Sequence, residues 1–339
     1  MKPACLSDLS GIHIGHFTDT RRPTGCTVVL CPEGATGGVA VVGAAPGTRE
    51  TDLLAPANTV QAVHAVILSG GSAFGLDAAG GVMQWLHEHG HGLSVGPVRV
   101  PIVPAAVVFD LWVDDFSQPD CAHGSGIYPD AAAGYQACVN AMTDPARGLE
   151  QGNIGAGTGA TVGKLNGPTC AMRGGIGWAA LNVSGITISA IVTCNAIGDI
   201  INPNTGEILA GARLNADSLS CINAIDAELN GLSSSGLHAG SNTTIGVIMT
   251  DAKLDKAQAQ RLAQVGHDGL ARTIRPVHTP MDGDTLFTLA TGNNPTAVDL
   301  MQLATAAGEV TAMAVTNAIR HAKSLSYGGV WYPAFGTKA

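Results

Sequence analysis

Residues 231–252 read GLSSSGLHAGSNTTIGVIMTDA, and the fold turns on how that stretch divides. Its first half, up to Asn242, is rich in Gly and Ser and has linker character. Its second half, TTIGVIMT from Thr243, is a continuous run of strand-forming residues, which predicts a strand covered on both faces. Thr243 thus sets a hydroxyl at the first position of a buried strand, directly after a linker. If the 242–243 peptide bond were cut, Thr243 would own both a nucleophilic Oγ1 and a free α-amine. An α-amine titrates near 7.7–8.0, so it can act as general base to its own hydroxyl without a histidine. The same Oγ1 can make the cut, attacking the carbonyl carbon of Asn242 in an N-to-O acyl shift that water resolves.

Outward from this stretch, short β-rich runs lie at residues 27–30, 38–43, 63–68, 105–113, 186–194 and 284–291. Helical patterns separate them. Residues 74–89 carry Leu76, Ala79, Met83 and Leu86 on one face, and residues 128–142 open with Pro129 and Asp130. A third helix starts near Asp255, an expected N-cap, with Leu262, Val265 and Leu270 inward. A fourth covers about 296–322. Apolar strands alternating with helices predict an α/β fold. Neither a charged or Pro-rich linker nor an internal repeat marks a boundary, so residues 1–339 are expected to form a single domain.

Composition narrows the function. Of 339 residues, 45% are hydrophobic but only 4% aromatic and 13% charged, which excludes disorder and leaves little polar surface for a monomer. A homo-oligomer, tetramer favoured, is expected. The formal charge of −9 and the absence of a Lys/Arg cluster argue against nucleic acid and anionic membranes as partners. The start of the sequence shows no apolar signal-peptide core, and eight scattered cysteines without a CxxC pair fit a reducing compartment. The expected location is the cytoplasm.

Several motifs weaken on inspection. Gly155–Ala160 (GAGTGA) matches a dinucleotide fingerprint, but it lacks a preceding strand, a following helix and an acidic residue some 20 positions on. Gly70–Gly75 (GGSAFG) approaches a nucleophile elbow around Ser72, with Phe74 one residue early where glycine is needed. His87, Glu88 and His89 lack the spacing of helical metal ligands. No cofactor or metal is expected. Lys164, Asn195 and the pair Asp282/Asp284 in MDGDTLF are weak signals singly and gain weight only beside Thr243.

Together they carry a resemblance. GNIGAGTGATVGK (152–164), SGGSAFGLDAAGGVMQWL (69–86), GAAPGTRETDLL (43–54), IYPDAAAG (127–134) and SNTTIGVIMTDA (241–252) resemble the L-aminopeptidase/D-esterase family, over about residues 7–322. That family includes β-peptidyl aminopeptidases and nylon-oligomer (6-aminohexanoate-oligomer) hydrolases. The resemblance implies an N-terminal-nucleophile hydrolase with a four-layer αββα sandwich. It also implies a precursor that cleaves itself, here into 1–242 and 243–339, and two chains that stay together, usually in a homo-oligomer. Thr243 replaces the serine of most aminopeptidase members. The Asp282/Asp284 pair and the Asn242–Thr243 cut are similar to the nylon-oligomer branch.

Position by position, the resemblance makes Thr243 nucleophile and base, and Asn195 an oxyanion donor. Lys164 would favour the neutral amine and stabilise negative charge. Asp282 and Asp284 would orient the Thr243 ammonium and hydroxyl, and Tyr128 would bond the substrate carbonyl or leaving group. The expected substrates are short peptides or amino-amide oligomers, aliphatic rather than aromatic. A transferase of the ornithine-acetyltransferase type, which also frees a threonine by self-cleavage, is the alternative. A nucleotide-binding protein and an inactive oligomeric scaffold are more distant ones.

Overall fold

Each long strand shares its side chains between two hydrophobic cores, and that division builds the layers. In the computed structural model, which describes residues 2–117, 123–231 and 240–338, the principal strands of the main sheet are β1 (His13–Thr18), β2 (Gly25–Val41), β3 (Ala62–Ser69), β4 (Ala105–Val107), β5 (Gly175–Val183), β6 (Ile186–Asn195), β7 (Thr243–Ala252) and β8 (Thr285–Asn294). The long helices are α1 (Ala78–Glu88), α2 (Ala131–Thr143), α3 (Lys256–Thr273) and α4 (Leu300–Arg320); a short one spans Ala224–Leu229. Cys121 and residues 232–239 of the Gly/Ser-rich segment lie outside the described residues.

On β2, Cys26, Val28 and Leu30 face α1 and α2 together with Ala65 and Ile67 of β3. Val29 and Cys31 point the other way, into a middle core with Val66 and Leu68 of β3, Ile191 of β6, Val247 and Met249 of β7 and Phe287 of β8. Ile188, Ala190 and Val192 of β6, with Ile248 and Leu286, meet Leu262 of α3 and Val310 and Val315 of α4. Helices, sheet, sheet, helices: this is the αββα sandwich. Period-2 alternation with both faces buried is why the strands read as unbroken apolar runs.

Strand order runs β5-β6-β7-β8-β2-β3-β4, with β1 also paired to β2; only β7/β8 and β3/β4 are parallel. The two apolar runs at 27–30 and 38–43 are parts of the single strand β2. Its register against β3 slips between Leu30 and Ala35, so it serves β1 and β3 with one half and β8 with the other. The run at 105–113 is strand only to Val107, because the buried Asp110 turns the chain inward onto Arg22. Asp255 caps α3 as expected, its side chain accepting from Gln258 N–H at 2.8 Å. Asp130 proves to be an N-cap rather than a first-turn residue, accepting from Ala133 N–H at 2.9 Å. The inward face of α1 falls on Ala78, Ala79, Val82, Trp85 and Leu86, with Leu76 and Met83 only partly buried, because residues 72–77 form a 3₁₀ turn that shifts the phase.

Candidate active site

Parallel pairing of β7 with β8 lays the two chemistry-bearing segments side by side. Ile245 aligns with Thr285, and just upstream Asn242 bridges Asp282. On the other side β6 is antiparallel, and its last residue, Asn195, is the register partner of Thr243. Thr243, Asn195, Lys164, Asp282 and Asp284 are thereby gathered, each no more than 3% exposed.

The carbonyl oxygen of Asn242 accepts two bonds, from Thr243 Oγ1 and from Gly283 N–H, the latter at 3.0 Å. Gly283 is required there: a Cβ would stand 2.6 Å from the Ala45 carbonyl oxygen and 3.0 Å from Thr243 Oγ1. The GAAPGTRE stretch accounts for that crowding. Val42 N–H donates to the Asp284 carbonyl at 3.0 Å and Ala45 N–H to that of Asp282 at 2.8 Å, clamping the acidic loop onto the end of β2.

Lys164 Nζ donates to the carbonyl oxygen and to Oδ1 of Asn195, both at 2.9 Å. Oδ1 also accepts from Thr161 N–H, and Nδ2 donates to the Phe109 carbonyl, each at 3.0 Å. The amide is thus held at both ends, with one Nδ2 hydrogen left for a further acceptor. Burial pulls the Lys164 ammonium down to about 7, against the attraction of Asp282. Burial pushes the Asp282 carboxyl up to about 6, helped by the Asp284 charge and opposed by the bonds from Thr279. Both groups therefore change charge close to neutral pH.

With the 242–243 bond intact, the acid pair does not bond Thr243 directly. Asp284 Oδ1 accepts from Thr244 N–H at 2.6 Å, and Oδ2 from His278 Nδ1 at 2.8 Å and His278 N–H at 3.2 Å. Asp282 Oδ2 accepts from Thr279 N–H at 2.9 Å and Thr279 Oγ1 at 2.6 Å. The dipeptide His278–Thr279 therefore cradles both carboxylates, and sequence reading missed it. The available signal was a histidine and a hydroxyl a few residues ahead of an acidic turn. His278 is held at φ +56°, a left-handed conformation uncommon for a bulky residue, with its ring edge-on to His267 at 4.8 Å. His278→Asn keeps a residue tolerant of that φ but removes the imidazole. Turnover is expected to fall about tenfold or more, the worth of one hydrogen bond to a charged group. A rate within twofold of wild type in steady-state kinetics would remove His278 from the site.

Tyr128 is not hydrogen-bonded to this group among the described residues. Its ring stacks on Phe74 at 4.8 Å. Its Cβ lies close against Gly71, where an added Cβ would stand 2.6 Å from it, and Gly71 N–H donates to Asp110 Oδ1 at 2.9 Å. Phe109 and Trp112 pack edge-to-face at 5.2 Å and give this wall aromatic surface that composition did not foreshadow. Ser72, at φ +53°, begins the 3₁₀ turn, and its Oγ bonds no histidine among the described residues. Gly155–Ala160 is packed backbone to backbone rather than opened as a cradle: a Cβ on Gly157 would stand 2.3 Å from Ile176 N. His87 and His89 turn to backbone carbonyls, of Arg99 and Trp85, at 3.2 and 2.7 Å.

In fold the chain is similar to a β-aminopeptidase of Burkholderia sp. (TM-score 0.68, 20% identity, 99% of this chain and 92% of that one). It is equally similar to the L-aminopeptidase D-Ala-esterase/amidase of Ochrobactrum anthropi, described as a variant of the Ntn hydrolase fold (TM-score 0.68, 17% identity, covering 98% and 92%). The architecture is accordingly that of the N-terminal-nucleophile hydrolases. By sequence it is 41% identical to an uncharacterised aminopeptidase of Mycobacterium leprae, over 98% of this chain and 95% of that one. It is 29% identical to a 6-aminohexanoate-oligomer endohydrolase of Kocuria sp., over 84% and 74%. The model of peptidase family S58 matches residues 4–329, and the chain belongs to that family. It is a hydrolase of amide bonds.

Proposed function

We propose that the chain cleaves itself at Asn242–Thr243 and that the freed Thr243 then hydrolyses short peptides or amino-amide oligomers. The observation that carries this reading is the double contact on the Asn242 carbonyl oxygen, from Thr243 Oγ1 and from Gly283 N–H. One places the nucleophile at the bond to be cut; the other is a donor for the oxyanion that forms. Oγ1 attacks the carbonyl carbon, the C–N bond breaks, and its nitrogen takes the proton. Water then hydrolyses the ester, leaving a carboxylate on Asn242 and an α-amine on Thr243. Denaturing electrophoresis should show fragments 1–242 and 243–339 that co-purify under native conditions, the smaller beginning TTIGV. A homogeneous full-length band in active enzyme would sink the proposal.

In turnover, the α-amine takes the Oγ1 proton as Oγ1 attacks the substrate carbonyl. The spare Nδ2 hydrogen of Asn195 meets the oxyanion, while Lys164 keeps the amine neutral and Tyr128 contacts the carbonyl or leaving group. Asp282 and Asp284 hold the strand start in place. Their bonds to Thr244, His278 and Thr279 occupy three of the four carboxylate oxygens, leaving little for a substrate ammonium. This favours cleavage within amide oligomers over strict removal of an N-terminal residue, and the low aromatic content of the chain, 4%, favours short aliphatic substrates over aromatic ones. A 6-aminohexanoate dimer and its N-acetylated form should turn over at comparable rates; loss of all turnover on acetylation would assign strict aminopeptidase action. No helix among the described residues is long and apolar enough to cross a membrane. The acidic chain, with Met301 and Leu229 more than four-fifths exposed, fits a cytoplasmic homo-oligomer such as a tetramer.

A further inference from the structure

Away from the active site, a second place gathers positive charge without a partner. A cavity of about 340 Å³ lies between residues 19–23, 153–158 and 323–327. Arg173 lines it and is only 2% exposed. Its Nη2 donates to the Thr158 carbonyl at 2.5 Å, but Nε and Nη1, buried, meet no acceptor among the described residues. Those two nitrogens carry three of the five guanidinium donors.

The other charges around the cavity are accounted for. Arg22 pairs with Asp110 at 2.6 Å, and Asp19 pairs with Arg21 at 2.6 Å. Lys323 stands exposed on the rim and, like Arg173, enters no ion pair among the described residues. Asp110 attracts Arg173 at longer range but is bonded to Arg22, so the two cations share the cavity with no ion-pair partner of their own among the described residues. Burial pulls the Arg173 guanidinium down to about 10, so it is still charged at neutral pH. A buried charge with unmet donors is costly unless something pairs with it.

We propose that this cavity binds a small oxyanion, a phosphate or carboxylate group, held by Arg173 with Lys323 closing over it. Two of the residues that line it connect to the supports of the Asn195 amide. Arg173 is the register partner of Thr161, whose N–H donates to Asn195 Oδ1. Arg22, on the opposite wall, holds Asp110, which follows the Phe109 carbonyl that takes the other end of the same amide. A bound anion would stiffen both supports, so it acts as an effector of the hydrolase rather than as its substrate.

The test titrates inorganic phosphate, acetate and chloride, at constant ionic strength, into wild type, Lys323→Ala and Arg173→Gln, reading thermal unfolding and turnover. Phosphate or acetate should stabilise wild type saturably, whereas chloride should not. The stronger of the two identifies whether the site takes phosphate or carboxylate. Lys323→Ala, a rim substitution that leaves the core intact, should weaken the apparent affinity roughly fivefold or more, about what loss of one exposed charge contact allows. Arg173→Gln should abolish the response; if it does not fold, Lys323→Ala decides alone. No saturable response in wild type, or one that Lys323→Ala leaves unchanged, overturns the site.

Discussion

Thr243→Ala should yield one full-length chain that never divides and has no measurable hydrolysis. In the proposed mechanism a single Oγ1 performs both cuts, so its removal abolishes self-cleavage and turnover together. The architecture should survive. Thr243 opens β7 but packs as a small buried residue, and the Asn242 carbonyl retains the bond from Gly283 N–H. Loss of a methyl and a hydroxyl at such a site costs on the order of 1–2 kcal/mol, too little to unfold a chain with three large cores. Thr243→Ser keeps hydroxyl and amine and should still divide. Electrophoresis of both variants, with circular dichroism as a check of folding, reads the result. A Thr243→Ala chain that divides normally would falsify the assignment of nucleophile and mechanism together.

Lys164→Met carries the second large effect. Its ammonium makes two bonds to Asn195 and is the cation that draws down the buried Asp282 carboxyl. Without it the Asn195 amide loses a support, and Asp282 loses the attraction that lowers its pKa. Conversion to two chains and turnover should each fall by on the order of 10²-fold, the scale of one lost oxyanion-site or acid–base contribution. The pH profile adds a sign. In wild type, Asp282 ionises through about 6 and Lys164 loses its proton through about 7. The α-amine of a freed Thr243 follows near 7.7–8.0. Ionisation of Asp282 and neutralisation of the amine form the species the mechanism uses, so rate should rise from pH 5 through the amine titration, while loss of the Lys164 ammonium above about 7 opposes the rise. In Lys164→Met the Asp282 carboxyl is pushed further up, so the acid limb, read on whatever protein has divided, should move to higher pH. A limb that stays where it is would show that the two groups do not act on each other.

Part of this was legible without coordinates. A run such as TTIGVIMT has no polar face to offer water, so Thr243 had to open a strand buried on both sides, and the linker composition before it marked the place of the proposed cut. MDGDTLF likewise set two carboxylates at the mouth of a buried strand. His278 and Thr279 stayed hidden because their role is a matter of direction. Only a left-handed φ at His278 turns the loop so that consecutive residues each take one carboxylate. Nor could residue order say that Asp284 bonds Thr244, since that contact depends on β7 and β8 lying parallel across the α3 crossover.

Sequence pattern by itself determined the α/β class and the position of the strand-opening hydroxyl. Those follow from short-range pattern: which residues are apolar, how they alternate, and where glycine and serine interrupt them. Tertiary structure alone decided which oxygen each hydrogen serves. It placed Gly283 N–H on the Asn242 carbonyl, tied both ends of the Asn195 amide, and left Arg173 buried with donors unmet. These contacts join segments far apart in the chain, and their geometry comes from sheet register and close backbone packing, which no local pattern encodes.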